Sequence, residues 1–286
     1  EINGLLSFDN TCYKYDVLLN SYLNNNYDLM NNTKFKFTGY NNNYNIAPYI
    51  KNPKSIFKDV KTIQFLDYNK SIEDTIFNVN SLGTFKVDRY EISGISDSEN
   101  ILPGYIFYDK NIKKPYKPII FFPGSGSINT DSFENGIENR MKQFSYLLSE
   151  GYALIHPIYK STFERRDNIK SDYPNETDEY KNAVIRWGKD YKRAIDYIES
   201  RDDMNMDKLS YYGISWGGSI ANILLAIDDR VKNSVLYVAG IEFQTCKKEV
   251  DKFYYTSRIK IPVLMLNGKF DHFFPLETSQ IPMFKL

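Results

Sequence analysis

The chain has 286 residues, of which 42% are hydrophobic and 25% charged, the balance of a globular protein rather than a disordered one. Lys plus Arg and Asp plus Glu both number 36, so the formal net charge is zero and nothing favours nucleic acid as a partner. The apolar runs are too short for a membrane span, no signal peptide is recognisable, which favours the cytoplasm, and two cysteines do not make a disulfide framework.

The first part of the chain has no sustained hydrophobic period. Asparagine clusters alternate with aromatic residues over residues 1–80, and turn-forming residues interrupt every longer pattern. We therefore predict an irregular N-terminal accessory segment over 1–80 and a single α/β domain over 81–286.

From about residue 84, strand and helix patterns alternate. Short apolar runs predict strands and residues at helical spacing predict three helices. This alternation predicts a mostly parallel sheet with helices on both faces. The predicted strands are Thr84–Ile92, Gly104–Tyr108, Lys117–Phe122, Tyr152–Ile158, Leu209–Tyr212, Ser234–Ala239 and Ile261–Asn267, and the helices are Phe133–Leu148, Tyr180–Ile198 and Trp216–Ile227.

The sequence Gly213-Ile214-Ser215-Trp216-Gly217 matches G-x-S-x-G between a short apolar strand and a helix. This is the setting of a nucleophile elbow, in which a serine projects from a sharp turn and glycines allow close backbone approach. Ser215 is therefore the predicted nucleophile. The alternative is an ordinary glycine-rich turn with a capping serine.

A second glycine-rich loop, Phe122–Ser127, leaves a predicted buried strand. Around a nucleophile elbow, such a loop donates one backbone N–H to an oxyanion hole, and the residue after the nucleophile donates the other. We predict Ser125, or else Gly126, as the loop donor and Trp216 as the second donor. The alternatives are a phosphate-binding loop, disfavoured because G-x-x-x-x-G-K-[ST] is absent, and a plain surface turn.

The acid of a catalytic triad follows the serine in this arrangement. Asp271 comes just after the apolar run Ile261–Asn267, at the carboxyl end of a predicted strand, where it could orient an imidazole. Asp251 is a weaker rival, and a turn-capping role for Asp271 is the alternative.

The candidate bases are the two histidines, His272 and His156, and the sequence supports each of them less well than it supports Ser215 and Asp271. His272 directly follows the acid and has little freedom to reach Ser215, and His156 lies in a predicted strand. Residues 272–286 are too few for the remaining helix, strand and histidine loop. We therefore expect the last strand and the histidine loop to lie beyond Leu286, and the 286-residue chain to have little activity alone.

The polar stretch from Tyr159 to Tyr180, with Arg165 and Arg166, could border the pocket and bind an acidic substrate group. A solvated charged loop is the alternative. No metal or other cofactor is implied, since the two histidines have no clustered carboxylates around them in the sequence.

Residues from about 84 to 286 resemble the α/β-hydrolase superfamily, and most closely acylaminoacyl-peptidase/prolyl-oligopeptidase-like and acetylxylan-esterase-like hydrolases, including modules attached to bacterial Ser/Thr protein kinases. The resemblance implies the α/β-hydrolase fold, with Ser215 as nucleophile, Asp271 as acid and a histidine beyond Leu286. The segments that carry it are FFPGSGS (121–127), FERRDN (163–168), YYGISWGG (211–218) and EVDKFYYTSRIKIPVLMLNGKFDHFFPLETSQIPMF (249–284).

Three functions follow as hypotheses. The first is a carboxylesterase or deacetylase that forms an acyl-enzyme on Ser215 of a small-molecule ester. The second is a serine peptidase of the prolyl-oligopeptidase type acting on a short peptide, less favoured because no propeller precedes the domain. The third is a non-catalytic interaction module with a hydrolase fold. The oligomeric state is open.

Overall fold

The computed structural model describes residues 74–96, 99–242 and 244–286. Residues 1–73, which hold most of the predicted accessory segment, lie outside the described residues. Residues 74–80 were assigned to that segment by sequence but belong to the first strand, Asp74–Leu82. Its pairing with the next strand shifts register between Asn78 and Asn80, and this irregularity breaks the alternation that would have marked a strand.

The domain is built on a sheet of eight described strands in the order β1-β2-β3-β5-β4-β6-β7-β8. The pairs β1–β2, β2–β3 and β3–β5 are antiparallel and the other four pairs are parallel, so the half that carries the site is parallel. The strands are β1 Asp74–Leu82, β2 Phe85–Ser96, β3 Glu99–Asp109, β4 Lys117–Phe122, β5 Tyr152–Pro157, β6 Ser210–Ile214, β7 Asn233–Tyr237 and β8 Val263–Leu266.

Five α-helices are described, and the longer three cover both faces of the sheet. They are α1 Ile137–Ser149, α2 Asp178–Glu199, α3 Trp216–Ile227, α4 Phe253–Thr256 and α5 Ile281–Lys285. The predicted first helix began at Phe133, but the regular α-helix begins at Ile137. A short 3₁₀ turn, Glu134–Gly136, precedes it, since Gly136 is a poor helix former.

Strand β4 shows how the sheet separates two hydrophobic clusters. Ile119 and Phe121 pack in the cluster with α1, whereas Ile120 and Phe122 pack in the larger cluster with α2 and α3. Alternate side chains of a strand point to opposite faces, so a continuous apolar run is required when both faces are covered. This arrangement confirms the predicted α/β-hydrolase class with helices on both faces.

The edge of the parallel half is less covered. Within the described residues β8 pairs with β7 alone, and Leu264 and Leu266 are exposed. Among the described helices, none has the length and apolar character needed to cross a bilayer.

Candidate active site

Ser215 lies at the turn between β6 and α3, in a backbone conformation that L-residues rarely adopt. Its φ is 53° and its ψ is −110°, and its backbone N–H donates a hydrogen bond to the Tyr237 carbonyl oxygen at 2.9 Å. The turn therefore holds the serine in a strained conformation at the carboxyl end of the central strand, as a nucleophile elbow does.

The glycines of the motif are required by close backbone approach. A Cβ atom on Gly213 would overlap the backbone of Gly217, and one on Gly217 would overlap the carbonyl oxygen of Phe122. The Tyr211 hydroxyl donates to the Gly217 carbonyl oxygen at 2.6 Å, and this hydrogen bond stabilises the turn. The position of Ser215 is therefore fixed by backbone contacts of its flanking glycines with the end of β4 and with β6.

The loop after β4 lies directly against Ser215. A Cβ built on Gly124 would be 3.5 Å from the Cβ atom of Ser215. Ser125 begins a 3₁₀ helix that continues to Asn129, and Trp216 begins α3. The first N–H groups of a helix have no acceptor within it, so both backbone donors predicted for the oxyanion stand at helix starts beside Ser215.

These elements border a cavity of about 490 Å³. Its lining brings Ser215 together with the loop residues Gly124, Ser125 and Gly126, as the sequence predicted. The polar stretch from Tyr159 to Tyr180 borders the cavity, as predicted, through Lys170, Ser171, Asp172 and Tyr173. The lining is completed by residues that the sequence did not indicate: Ile128, Asn129, Glu242, Gln244, Phe273 and Phe274.

Asp271 lies beside the cavity but is not part of its lining. Its Oδ1 accepts hydrogen bonds from the backbone N–H groups of Phe273 (2.8 Å) and Phe274 (3.0 Å), both of which do line the cavity. The turn-capping role is therefore present. Both bonds use Oδ1, so within the described residues Oδ2 is the oxygen left for an imidazole. The rival Asp251 caps the backbone N–H of Phe253 at 3.0 Å and is also outside the lining.

Neither histidine lines the cavity. His156 is 1% exposed on β5, where its Nδ1 lies 2.9 Å from the Pro157 carbonyl oxygen and its ring packs against Phe121 and Phe133. Burial, with the nearby Arg140 charge, lowers the pKa of His156 to about 3, far too low for a base at neutral pH. His272 is exposed and packs its ring against Phe273, with 4.3 Å between ring centroids.

The two arginines proposed to bind an acidic substrate have other partners. Arg165 Nη1 contacts the fully buried carboxylate of Asp190 at 2.7 Å, and Arg166 pairs with Asp131. Neither arginine lines the cavity. The structure thus places an ion pair at Arg165 where the sequence suggested ligand binding.

A buried charged cluster that the sequence analysis missed borders the cavity. Lys252 Nζ donates to both carboxylate oxygens of Glu242 at 2.6 Å, and Asp172 is 9% exposed. Burial raises the pKa of Asp172, whereas the Ser125 hydroxyl and the Lys252 charge lower it and Glu242 raises it further. No local motif marks this cluster, since Asp172 is 70 positions from Glu242 and 80 from Lys252 in the chain.

No group of three or more His, Cys, Asp or Glu side chains in the described residues could hold a metal ion. The groups that line the cavity with the Ser215 hydroxyl include the glycine loop 124–126 and the carboxyl groups of Asp172 and Glu242.

Known proteins resemble the chain in sequence and in fold. A "Putative hydrolase YtaP" from Bacillus subtilis (strain 168) is 25% identical over 142 residues, which are 46% of this chain and 46% of that protein, so the match spans about half of the curated relative. Acetyl Xylan Esterase 1 from Thermoanaerobacterium sp. JW/SL YS485 superposes with a TM-score of 0.58 at 13% identity, covering 82% of this chain and 83% of that one. A cold-adapted esterase from an Arctic intertidal metagenomic library gives a TM-score of 0.52 at 17% identity, covering 73% and 82%.

The two structural likenesses establish the fold. Residues 103–282 match the Dienelactone hydrolase family, and this range contains β4 to β8, the elbow and the whole cavity lining. The chain belongs to the Dienelactone hydrolase family of α/β-hydrolases.

Proposed function

We propose that the protein hydrolyses a small-molecule ester through an acyl-enzyme on Ser215. The observation that carries the proposal is the position of Ser215: a strained elbow at the end of β6, open to the cavity and flanked by a glycine loop. The hydroxyl would attack the ester carbonyl, the alcohol would leave, and water would then release the acyl group.

The oxyanion of the tetrahedral intermediate would receive the backbone N–H groups of Trp216 and of Ser125, or else Gly126. Two preorganised donors in a partly enclosed site stabilise the developing negative charge strongly. Asp271 would act as the acid that orients the imidazole through Oδ2. Neither His156 nor His272 is assigned as the base, because neither lines the cavity, and the identity of the base stays a prediction.

An ester is preferred over a peptide because the two superposed structures are named as esterases, which supports this choice of bond within a shared fold. Acetyl esters are the simplest substrates with which to test the proposed ester hydrolysis.

The test is turnover of p-nitrophenyl acetate by the full-length protein and two serine variants. Ser215→Ala should reduce kcat by about 10⁴-fold or more, since it removes the nucleophile. Ser219→Ala is the matched control: this serine is buried on α3, its hydroxyl has no hydrogen-bond partner among the described residues, and its removal should leave turnover within about twofold. Intact turnover in Ser215→Ala would refute the proposal.

A further inference from the structure

The loop that carries Asp271, residues 268–274, has little packing of its own. Its one buried residue is Phe274, which is 5% exposed. A segment with so few buried contacts depends on hydrogen bonds to keep one conformation. The position of the Asp271 carboxylate therefore depends on the bonds that hold this loop. Most of the loop is exposed: Gly268, Lys269, Phe270, His272 and Phe273.

The buried side chain of Gln280 joins the two ends of the 268–274 loop. Gln280 is 6% exposed, and its Nε2 donates to the Gly268 carbonyl oxygen at 3.1 Å and to the Phe274 carbonyl oxygen at 2.6 Å. Both partners are acceptors, so the nitrogen of the amide, and not its oxygen, must face them. The two bonds form together only while the loop keeps this closed shape.

The same two ends of the loop hold Asp271. The backbone N–H of Asp271 donates to the Gly268 carbonyl oxygen at 3.3 Å, and its Oδ1 accepts the backbone N–H of Phe274 at 3.0 Å. Gln280 thus binds the carbonyl that accepts from the Asp271 backbone, and also the carbonyl of a residue that donates to its carboxylate. A displacement of either end would move the Asp271 side chain.

Gln280 is itself fixed to the folded domain. It ends a short π-helical turn, Leu276–Gln280, which leads directly into α5. The preceding residue, Ser279, is fully buried, and its hydroxyl donates to the Ile241 carbonyl oxygen at 2.8 Å. Ile241 lies in the segment that follows β7. The Gln280 amide therefore ties an exposed loop to a buried part of the domain.

We propose that Gln280 is a positioning residue that holds Asp271 where it orients the catalytic imidazole. The inference rests on the proposed function at Ser215, with Asp271 as its acid. It assigns Gln280 no contact with the reacting atoms. The acid acts through the geometry of its bond to the imidazole, so loss of the two Gln280 bonds should lower kcat more than it raises KM.

The experiment is a double-mutant cycle on p-nitrophenyl acetate turnover by the full-length protein. Gln280→Met fills similar space without either donor, and it should lower kcat by about 10- to 100-fold while changing KM by less than about threefold. In the Asp271→Asn background the same substitution should change kcat by less than about threefold, because the acid it positions is already lost.

Asn222→Leu supplies the matched control for the loss of a buried amide. Asn222 is fully buried on α3, where Nδ2 donates to the Ser219 carbonyl oxygen at 2.8 Å and Oδ1 accepts the Thr256 hydroxyl at 2.9 Å. Asn222→Leu and Gln280→Met should both lower the midpoint of urea unfolding, but Asn222→Leu should leave kcat within about threefold.

Normal kcat in Gln280→Met, or an equal loss of kcat in both backgrounds, would overturn the inference. If Gln280→Met does not fold, Gln280→Asn decides it, since a shorter amide cannot reach both carbonyl oxygens and should lower kcat in the wild-type background alone. Full turnover in Asp271→Asn would overturn the inference and leave Ser215 untouched. Failure of the proposed function would instead show as turnover that survives Ser215→Ala.

Discussion

The carbonyl oxygen of Phe122 occupies the space that a Cβ atom on Gly217 would need, so the end of β4 and the start of α3 meet through backbone alone. The same contact includes a hydrogen bond from the Gly217 N–H to the Pro123 carbonyl oxygen at 3.0 Å. The glycine loop after β4 and the elbow are therefore joined through backbone contacts, and their close approach requires glycine at position 217.

Gly217→Ala should damage both stability and activity. The added methyl group meets backbone rather than a movable side chain, so the free energy of unfolding should fall by about 1–3 kcal/mol and kcat by at least about 100-fold. Urea unfolding and ester turnover measure the two effects. Gly268→Ala, where a Cβ would meet nothing within 4 Å, is the control, and equal effects of the two variants would contradict this account of the elbow.

The backbone of Ser215 should carry measurable strain. With φ at 53° and ψ at −110°, a residue with a Cβ is held in a sparsely populated conformation that glycine adopts more readily. Ser215→Gly and Ser215→Ala should both be inactive, but the glycine variant should be more stable than the alanine variant by about 1 kcal/mol. Thermal unfolding of the two proteins compares them, and a more stable alanine variant would show that the turn is relaxed.

Arg165→Ala should act on stability rather than on substrate affinity. Asp190 has no exposed side-chain surface, and Arg165 at 2.7 Å is the nearer of two cations, with Arg186 Nε at 3.8 Å. Removing Arg165 therefore takes the main partner from a buried charge and should cost about 3–5 kcal/mol. Arg166→Ala, which removes a partly exposed ion pair, should cost no more than about 1 kcal/mol. Urea unfolding separates the two. A large rise in KM for Arg165→Ala at unchanged stability would restore the substrate-binding hypothesis.

His156 should make the fold sensitive to acid. Its pKa in the folded protein is about 3, below the value of about 6.5 for an unfolded chain, so the unfolded state takes up the proton first as the pH falls. The contribution of neutral His156 is thus present above about pH 6.5 and is lost progressively down to about pH 3.

His156→Phe should remove this contribution, because the ring already packs among Phe121, Phe133 and Phe163 and its Nε2 has no partner among the described residues. The midpoint of acid unfolding, followed by circular dichroism, should shift to lower pH in the variant. An unchanged midpoint would mean that other groups control acid unfolding.

Local patterns in the sequence predicted much of the fold and part of the site. The bounds of β4 and α3 were predicted as observed. The continuous apolar run marks both ends of β4, and the glycine elbow marks the start of α3. The position of Ser215 beside the 124–126 loop followed from the same two signals, since parallel strands end at one edge of the sheet.

What sequence could not predict depends on contacts between distant residues. Asp172 and Ser125 are 47 positions apart, and nothing near either one indicates that both will line one cavity. Arg165 was assigned to substrate because a cation in a polar loop suggests a ligand, yet its partner Asp190 lies within a helix predicted from its apolar face. Hydrophobic periodicity predicts helices and strands, but it does not predict which distant side chains will pair in the folded chain.

The central claim, that Ser215 is the nucleophile, is tested most directly by covalent labelling. The full-length protein would be treated with a fluorophosphonate, digested, and analysed by mass spectrometry. The account predicts one stoichiometric adduct on the peptide that contains Ser215, no adduct in Ser215→Ala, and full labelling of Ser219→Ala. An adduct on another residue, or undiminished labelling of Ser215→Ala, would contradict it.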